Sequence, residues 1–174
     1  KGAADAYRKM RNTMRFMLGN LDGFTEDERI DVSEMPPLER YMLNRLYELD
    51  GLVRRSYKEY EFSRVFHTLF NFATTELSAF YFDIRKDALY CDGPSSLRRR
   101  ASLQVIRTIF DCLVTWLAPM LPFTMEEAWL SNKPDAVSVH LEQFPEVSGA
   151  WRDDALAAKW KKIRTVRRVV TGAL

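Results

Sequence analysis

Hydrophobic residues recur every three or four positions along most of the chain, and this spacing is typical of helices with one apolar side. Five long segments keep the period: 4–18, 36–60, 62–89, 95–118 and 153 onward. Short stretches with glycine or proline separate them, as is usual for turns between helices. The pattern therefore predicts an all-α fold, an antiparallel bundle of about five main helices.

Local signals indicate where the first two helices end and begin. Gly19 and Asn20 predict the end of the first helix, because both residues readily adopt the backbone conformation that closes a helix. Pro36 and Pro37 predict the start of the second, since the first turn of a helix needs no amide hydrogens. An acidic loop, residues 22–34, connects the two.

The second half of the chain carries further helix-start signals. Ser95 or Ser96 can cap the fourth helix with a side-chain oxygen. Thr124 and Glu127 have the spacing of a capping box, which predicts a short helix over residues 125–130.

The helical period also predicts which side chains lie in the core. In the third helix they are Val65, Leu69, Phe72, Thr75 or Glu76, and Ala79. In the fourth they are Ala101, Val105, Ile109, Leu113, Trp116 and Leu117, and in the fifth Leu156, Trp160, Ile163, Val166 and Val170. The same reasoning puts Phe80 and Phe82 in the core, and it leaves Trp129 and Trp151 open.

Length and composition fit one domain with a real core, since the chain has 174 residues of which 47% are hydrophobic. Residues 131–150 predict an extended crossover, in which residues 137–144 show the one alternation that could indicate a strand. The chain starts at Lys1 and stops at TGAL within a predicted helix, so we expect it to be a piece of a longer protein, with residues 131–174 ending in a shortened element.

Cysteine, histidine and apolar content exclude several kinds of protein. No run of about 18 apolar residues is present, so the sequence predicts no membrane span. Cys91 and Cys112 lie far apart, without the paired spacing of a zinc site, and only two histidines accompany them. We expect two reduced thiols in a cytosolic protein without a metal site.

Charge is segregated along the chain although the formal net charge is only +2. Residues 22–34 hold six acidic residues and one arginine, whereas residues 152–168 hold seven Lys or Arg and two Asp. The first helix carries a polar stripe of Arg8, Arg11 and Arg15 with Asn12 beside it. A solvated helix face explains such runs in most proteins, and a basic face for an anionic partner is the alternative.

The run FYFDIRKDALYCDGPSSLRRR, residues 80–100, combines aromatic and cationic side chains within one short stretch. Aromatic faces stack on bases and cations neutralise phosphates, so this chemistry suits single-stranded nucleic acid.

Three stretches together resemble the anticodon-binding domain of bacterial isoleucyl-tRNA synthetases, a class Ia family. They are YRKMRNTMRFMLGNL at 7–21, the run at 80–100, and WLAPMLPFTMEEAW at 116–129. The resemblance covers nearly the whole chain. It implies that residues 1–174 form one helix bundle of that type, which holds the anticodon stem-loop of isoleucine tRNA.

This resemblance and the residue chemistry together give the predicted tRNA contacts. Guanidinium groups on the first helix would meet successive phosphates, and groups at the end of the third would reach bases. Phosphate contacts are predicted for Arg8, Arg11, Asn12 and Arg15. Base reading is predicted for Arg85, Lys86, Asp87 and Tyr90. Arg98 is predicted to bind an anion at the start of the next helix. We expect the Arg stripe and the Lys86–Tyr90 corner to share one surface.

Catalysis is expected elsewhere in the parent enzyme, since the HIGH-like and KMSKS-like motifs of the family's ATP site are absent from this sequence. The resemblance implies ATP, Mg and Zn as cofactors of the parent and none in this chain. It implies isoleucine tRNA and the catalytic domain of the same polypeptide as partners, a monomer, no membrane contact and a cytoplasmic location.

Two alternatives remain open from the sequence. One is the anticodon domain of a sister synthetase for valine or methionine. The other is a helical protein-interaction module, in which an apolar patch meets a partner protein and the basic stripes only interact with water.

Overall fold

The computed structural model describes residues 2–25 and 29–172, and its regular structure consists of helices. The main elements are α1 (Gly2–Leu21), α2 (Pro37–Lys58), α3 (Phe62–Asn71), a π-helical segment (Phe72–Tyr81), α4 (Phe82–Cys91), α5 (Leu97–Leu117), α6 (Pro122–Asn132) and α7 (Asp154–Gly172). This confirms the predicted all-α bundle. Glu26, Asp27 and Glu28 of the acidic loop, together with Lys1 at the start, lie outside the described residues.

The run from α3 through α4 is one continuous helix that packs antiparallel to α2. Arg45 in the middle of α2 bonds Glu76 of the π-helical segment, and Glu39 near the start of α2 bonds Arg85 of α4. Residue numbers that rise along α2 thus meet residue numbers that fall along the α3–α4 helix. Neighbours in sequence pair antiparallel here, as predicted.

α1 runs parallel to the π-helical segment and α4. Thr13 and Ser78 share a hydrogen bond between their hydroxyl oxygens at 3.1 Å, and one turn further along, Phe16 stacks on Phe82 with ring centroids 4.4 Å apart. α6 packs on α1 from another side, whereas α7 packs on α2. α7 also contacts the π-helical segment and α4, so it lies across both α2 and the α3–α4 helix.

One hydrophobic core joins α1 to α6. All six positions predicted for the fourth helix are fully buried there, and Phe80 and Phe82 are buried as well. Trp129 is also buried, whereas Trp151 is half-buried against the core. The helical period was therefore a good guide to packing wherever the backbone is α-helical.

The π-helical segment breaks that rule. Ala79 and Thr75 are exposed, and Glu76 is buried, so the predicted inner stripe is wrong at Ala79. In a π-helix the hydrogen bonds run from i to i+5, which shifts the inward positions relative to the α-helical period.

The predicted end of the first helix is wrong. α1 continues through Gly19 and Asn20 to Leu21. The side-chain amide of Asn20 donates to the Phe16 carbonyl at 2.8 Å, and Leu21 is buried in the core. The turn comes at Gly23, whose φ of +76° favours glycine. The predicted starts, with Pro37 opening α2 and Ser96 as the N-cap of α5, are confirmed.

The predicted capping box is also wrong, and the alternation at 137–144 does not correspond to a strand. α6 begins at Pro122 without a side-chain cap, since Thr124 bonds the Tyr7 hydroxyl and Glu127 pairs with Arg11. Within the described residues, 137–144 contain a short 3-10 turn, Val139–Leu141, and no strand.

α7 departs from prediction in its second half. Trp160 packs on the bundle, whereas Ile163, Val166 and Val170 are exposed rather than inward-facing. Across the described ranges, no helix is long and apolar enough to span a bilayer.

Candidate functional site

α4 presents an exposed polar corner at its C-terminal end. Lys86, Asp87 and Tyr90 are exposed, and 65% of the Tyr90 surface is accessible. Ala88 and Leu89, between them in sequence, are buried and attach the helix to the core. The corner is therefore held by packing on one side and free on the other, as a binding surface requires.

Arg85 has a different environment from its neighbour Lys86. Its guanidinium donates from Nε and NH2 to the two carboxylate oxygens of Glu39, both at 2.6 Å. Glu39 is fully buried and also accepts from the Tyr81 hydroxyl at 3.1 Å and the Ser102 hydroxyl at 3.2 Å. The Glu39 carboxylate thus ties α2 to the π-helical segment, α4 and α5, which fixes the orientation of α4.

Asp83 connects α4 to α7. Its carboxylate accepts from Arg167 at 2.9 Å and from Lys86 at 3.4 Å. Hydrogen bonds from Arg167 first and Lys86 second lower the pKa of Asp83 below its ordinary value. Asp83 is thus where α4 meets the basic side of α7, and Lys86 bonds the same carboxylate from its own helix.

Arg98 lies at the start of α5, near the same end of the molecule. It donates to both oxygens of Asp92, at 2.7 and 3.0 Å, and these hydrogen bonds lower the pKa of Asp92. The Arg98 side chain is half-exposed, so it faces water with part of its charge already balanced.

The arginine stripe of α1 lies against α6. Arg11 donates to the two oxygens of Glu127 at 2.6 and 2.7 Å, and Arg8 pairs with Asp5 on its own helix. The Arg11 hydrogen bond lowers the pKa of Glu127. Among the described residues, Arg15 has no ionic partner, and it lines a groove of about 360 Å³ between α1 and α6 with Asn12.

The structure does not bring the α1 stripe and the Lys86–Tyr90 corner next to each other. Thr13 and Phe16 face the π-helical segment and α4, whereas Arg11 faces α6. At 3.6 residues per turn, Thr13 and Phe16 lie roughly 140° to 160° from Arg11 around the helix axis, which is nearly the opposite side. A single ligand that meets both groups must cover the outer face of α1, where Asn12 lies.

A third basic region lies where α7 meets α2, and the sequence already showed its stripe of Lys161, Arg164 and Arg168. Arg45 and Arg164 both donate to the buried carboxylate of Glu76, at 2.9 and 2.8 Å. Lys161 and Arg168 flank them on the exposed side of α7. The cationic stripe of α7 was visible in the sequence, but its contact with Arg45 and Glu76 depends on the tertiary fold.

A metal centre needs several ligating side chains within reach of one ion. Within 2–25 and 29–172, no three His, Cys, Asp or Glu side chains lie close enough together to hold one.

Comparison with known proteins gives a family match for most of this chain. The family described as the anticodon-binding domain of tRNA ligase matches residues 39–173. Three similar proteins carry the name isoleucine–tRNA ligase. Those of Mesorhizobium japonicum and Agrobacterium fabrum are each 64% identical over 98% of this chain, and that of Brucella abortus is 62% identical over 98%.

The match covers only part of those relatives. This chain spans 17% of the Mesorhizobium and Brucella proteins and 18% of the Agrobacterium protein. The similarity is therefore to one region of longer proteins.

Proposed function

Because this chain belongs to the family of anticodon-binding domains of tRNA ligases, we propose that it binds the anticodon stem-loop of isoleucine tRNA. In this proposal it is one module of an isoleucine–tRNA ligase that charges tRNA with isoleucine using ATP. The catalytic domain of that longer polypeptide is its second partner. We further propose a monomer that works in the cytoplasm, with residues 1–174 acting as one domain.

Base reading is assigned to the α4 corner. Tyr90 offers an exposed ring for stacking, Lys86 donates to base or phosphate acceptors, and Asp87 accepts from base amino groups. Anticodon bases are unpaired, so their edges and faces are open to such groups. The exposed Lys86–Tyr90 corner, in a chain so similar to isoleucine–tRNA ligases, is the observation that carries the proposal.

Arg85 has a supporting role in this proposal. Its guanidinium is occupied by Glu39, so it orients α4 rather than meeting RNA directly. The side chains of Arg85 and Lys86 leave the helix in directions about 100° apart around its axis. Because Glu39 holds Arg85 on the inner side, Lys86 is directed outward.

Phosphate contacts are assigned to Arg8, Arg11, Asn12, Arg15 and Arg98. These groups are exposed, and cations that meet phosphates position RNA without reading its sequence. Arg15 is the strongest of them, since no carboxylate in the described residues competes for its charge.

A titration with labelled isoleucine tRNA tests the proposal directly. We expect fluorescence anisotropy to show binding at about 50 mM salt that weakens steeply at about 200 mM, as phosphate contacts require. Unlabelled isoleucine tRNA should displace the probe better than valine or methionine tRNA. Absence of binding at low salt contradicts an RNA role, and a preference for valine tRNA contradicts the isoleucine assignment alone.

One observation favours the rival protein-interaction function. The outer side of α7 exposes Val166 and Val169 by 64% and 67%, with Val170 beside them. Exposed apolar side chains in a row are typical of surfaces that contact protein. The tRNA titration separates the RNA-binding function from the protein-interaction function, because the protein-interaction function predicts no salt-dependent affinity for tRNA.

A further inference from the structure

We propose that the groove between α2, the π-helical segment and α7 holds the phosphate backbone of the RNA strand that reaches the α4 corner. The groove encloses about 670 Å³. This inference rests on the proposed function and extends it to a second contact, which neither the family's name nor the names of its relatives specify.

Charge is the first argument. The groove is lined by five cations: Arg45, Lys161, Arg164, Arg167 and Arg168. Three carboxylates line it or bond to its walls, those of Glu48, Glu76 and Asp83. Two positive charges are therefore left unbalanced, and they belong to Lys161 and Arg168, which have no ionic partner among the described residues.

Rigidity is the second argument. The floor is set by the buried Glu76, which holds Arg45 and Arg164 in place, and Arg164 also donates to the Tyr41 hydroxyl at 3.0 Å. Arg164 lies 5.1 Å from the centroid of the Phe80 ring, which fixes the plane of its guanidinium. An anion entering the groove thus meets cations whose positions are already ordered.

Shape is the third argument. Ala79, Ala157 and Ala158 line the groove with small side chains, so a backbone segment can approach closely. Lys161 and Arg168 are seven residues apart, which is about 10 Å along the helix axis. This spacing lets the two cations meet different phosphates of one RNA strand.

Position is the fourth argument, because the groove leads to the α4 corner. Arg167 lines the groove and bonds one oxygen of Asp83, and Lys86 bonds the other oxygen of the same carboxylate. A strand lying along α7 would therefore arrive beside Lys86 and Tyr90. The α1 stripe has no such continuity, since it faces α6 instead.

The test compares two double variants of α7 that each remove two positive charges. Lys161→Ala with Arg168→Ala removes the two unbalanced cations from the rim of the groove. Lys159→Ala with Lys162→Ala is the matched control, because these exposed residues lie about 100° or more away from Lys161 around the helix. The probe is a fluorescein-labelled anticodon stem-loop of isoleucine tRNA, titrated at several salt concentrations, and far-ultraviolet circular dichroism checks folding.

We expect the groove variant to bind more weakly and to lose about 1.4 to 1.8 from the slope of log affinity against log salt, while the control keeps its slope. Equal losses in both variants overturn the groove, since they would reflect only the overall charge of α7. An unchanged groove variant overturns it too, but leaves the proposed function standing when the unsubstituted chain binds. If the unsubstituted chain does not bind the stem-loop, both proposals fail.

Discussion

Glu39 is the residue on which the orientation of α4 depends most. Its buried carboxylate accepts from Arg85, Tyr81 and Ser102, so three side chains on three elements converge on one group. Burial raises the pKa of Tyr81 far above its ordinary value, which further disfavours loss of the proton that it donates to Glu39. Removing the carboxylate charge would leave the Arg85 guanidinium nearly buried without a counter-charge.

Glu39→Gln should lower the free energy of unfolding by about 3–5 kcal/mol, the usual cost of breaking one side of a buried ion pair. Urea denaturation monitored by circular dichroism gives this quantity. Glu127→Gln is the matched control, because it breaks an Arg–carboxylate pair of similar geometry that is exposed. We expect that change to cost at most about 1 kcal/mol. Equal costs at the two sites would show that Glu39 does not fix α4.

The different roles of Arg85 and Lys86 were not predicted from the sequence, which assigned both residues to base reading. Tyr81 and Ala88 are buried, and Arg85 lies four residues after one and three before the other, on the same side of the helix. What the sequence could not supply is Glu39, which is 46 residues away and reaches Arg85 only through the packing of α2. A buried cation is recognisable only once its partner is known.

At the scale of elements, the π-helical segment is the largest feature that the sequence did not reveal. Its residues are ordinary helix formers and apolar residues, and a change of hydrogen-bond register leaves no mark in composition. It turns Glu76 inward and Ala79 outward, which opens the floor of the α7 groove. The bundle and the α5 stripe were predictable because regular α-helices have one fixed period.

The hydrophobic contacts of α7 with the bundle lie in its first half. The Trp160 ring stacks on Tyr41 and meets the edge of Phe80, at centroid distances of 5.5 and 6.0 Å, whereas Val166 is mostly exposed. Sequence periodicity assigned both Trp160 and Val166 an inward position. It could not distinguish them, because the period does not say where the neighbouring helix ends.

Trp160→Ala should therefore lower the free energy of unfolding by roughly 2 kcal/mol or more, somewhat below the 3–5 kcal/mol of a fully buried aromatic residue. Val166→Ala should change it by less than about 0.5 kcal/mol, as at other exposed sites. Urea unfolding of the two variants provides the comparison. A large cost for Val166 would mean that the second half of α7 is packed after all.

At the scale of the whole molecule, the packing of the helices separates two basic faces. α4 and α7 meet at Asp83 and form one of them, and α1 with α6 forms the other. In our proposal the first face carries the selective contacts, since it holds both the exposed ring of Tyr90 and the donor Lys86. Selectivity and general affinity should therefore respond to different substitutions.

The most direct measurement is the affinity of Lys86→Ala with Tyr90→Ala for two labelled stem-loops, from isoleucine tRNA and from valine tRNA. We predict a larger loss for the isoleucine stem-loop, because in our proposal Lys86 bonds base edges that are specific to its anticodon. The lost Tyr90 stack should cost about 1–3 kcal/mol with either stem-loop. Arg15→Ala serves as the control and should weaken both stem-loops alike, because in our proposal Arg15 meets only phosphate. Equal losses for the two stem-loops in the double variant would contradict the claim that the α4 corner reads the anticodon.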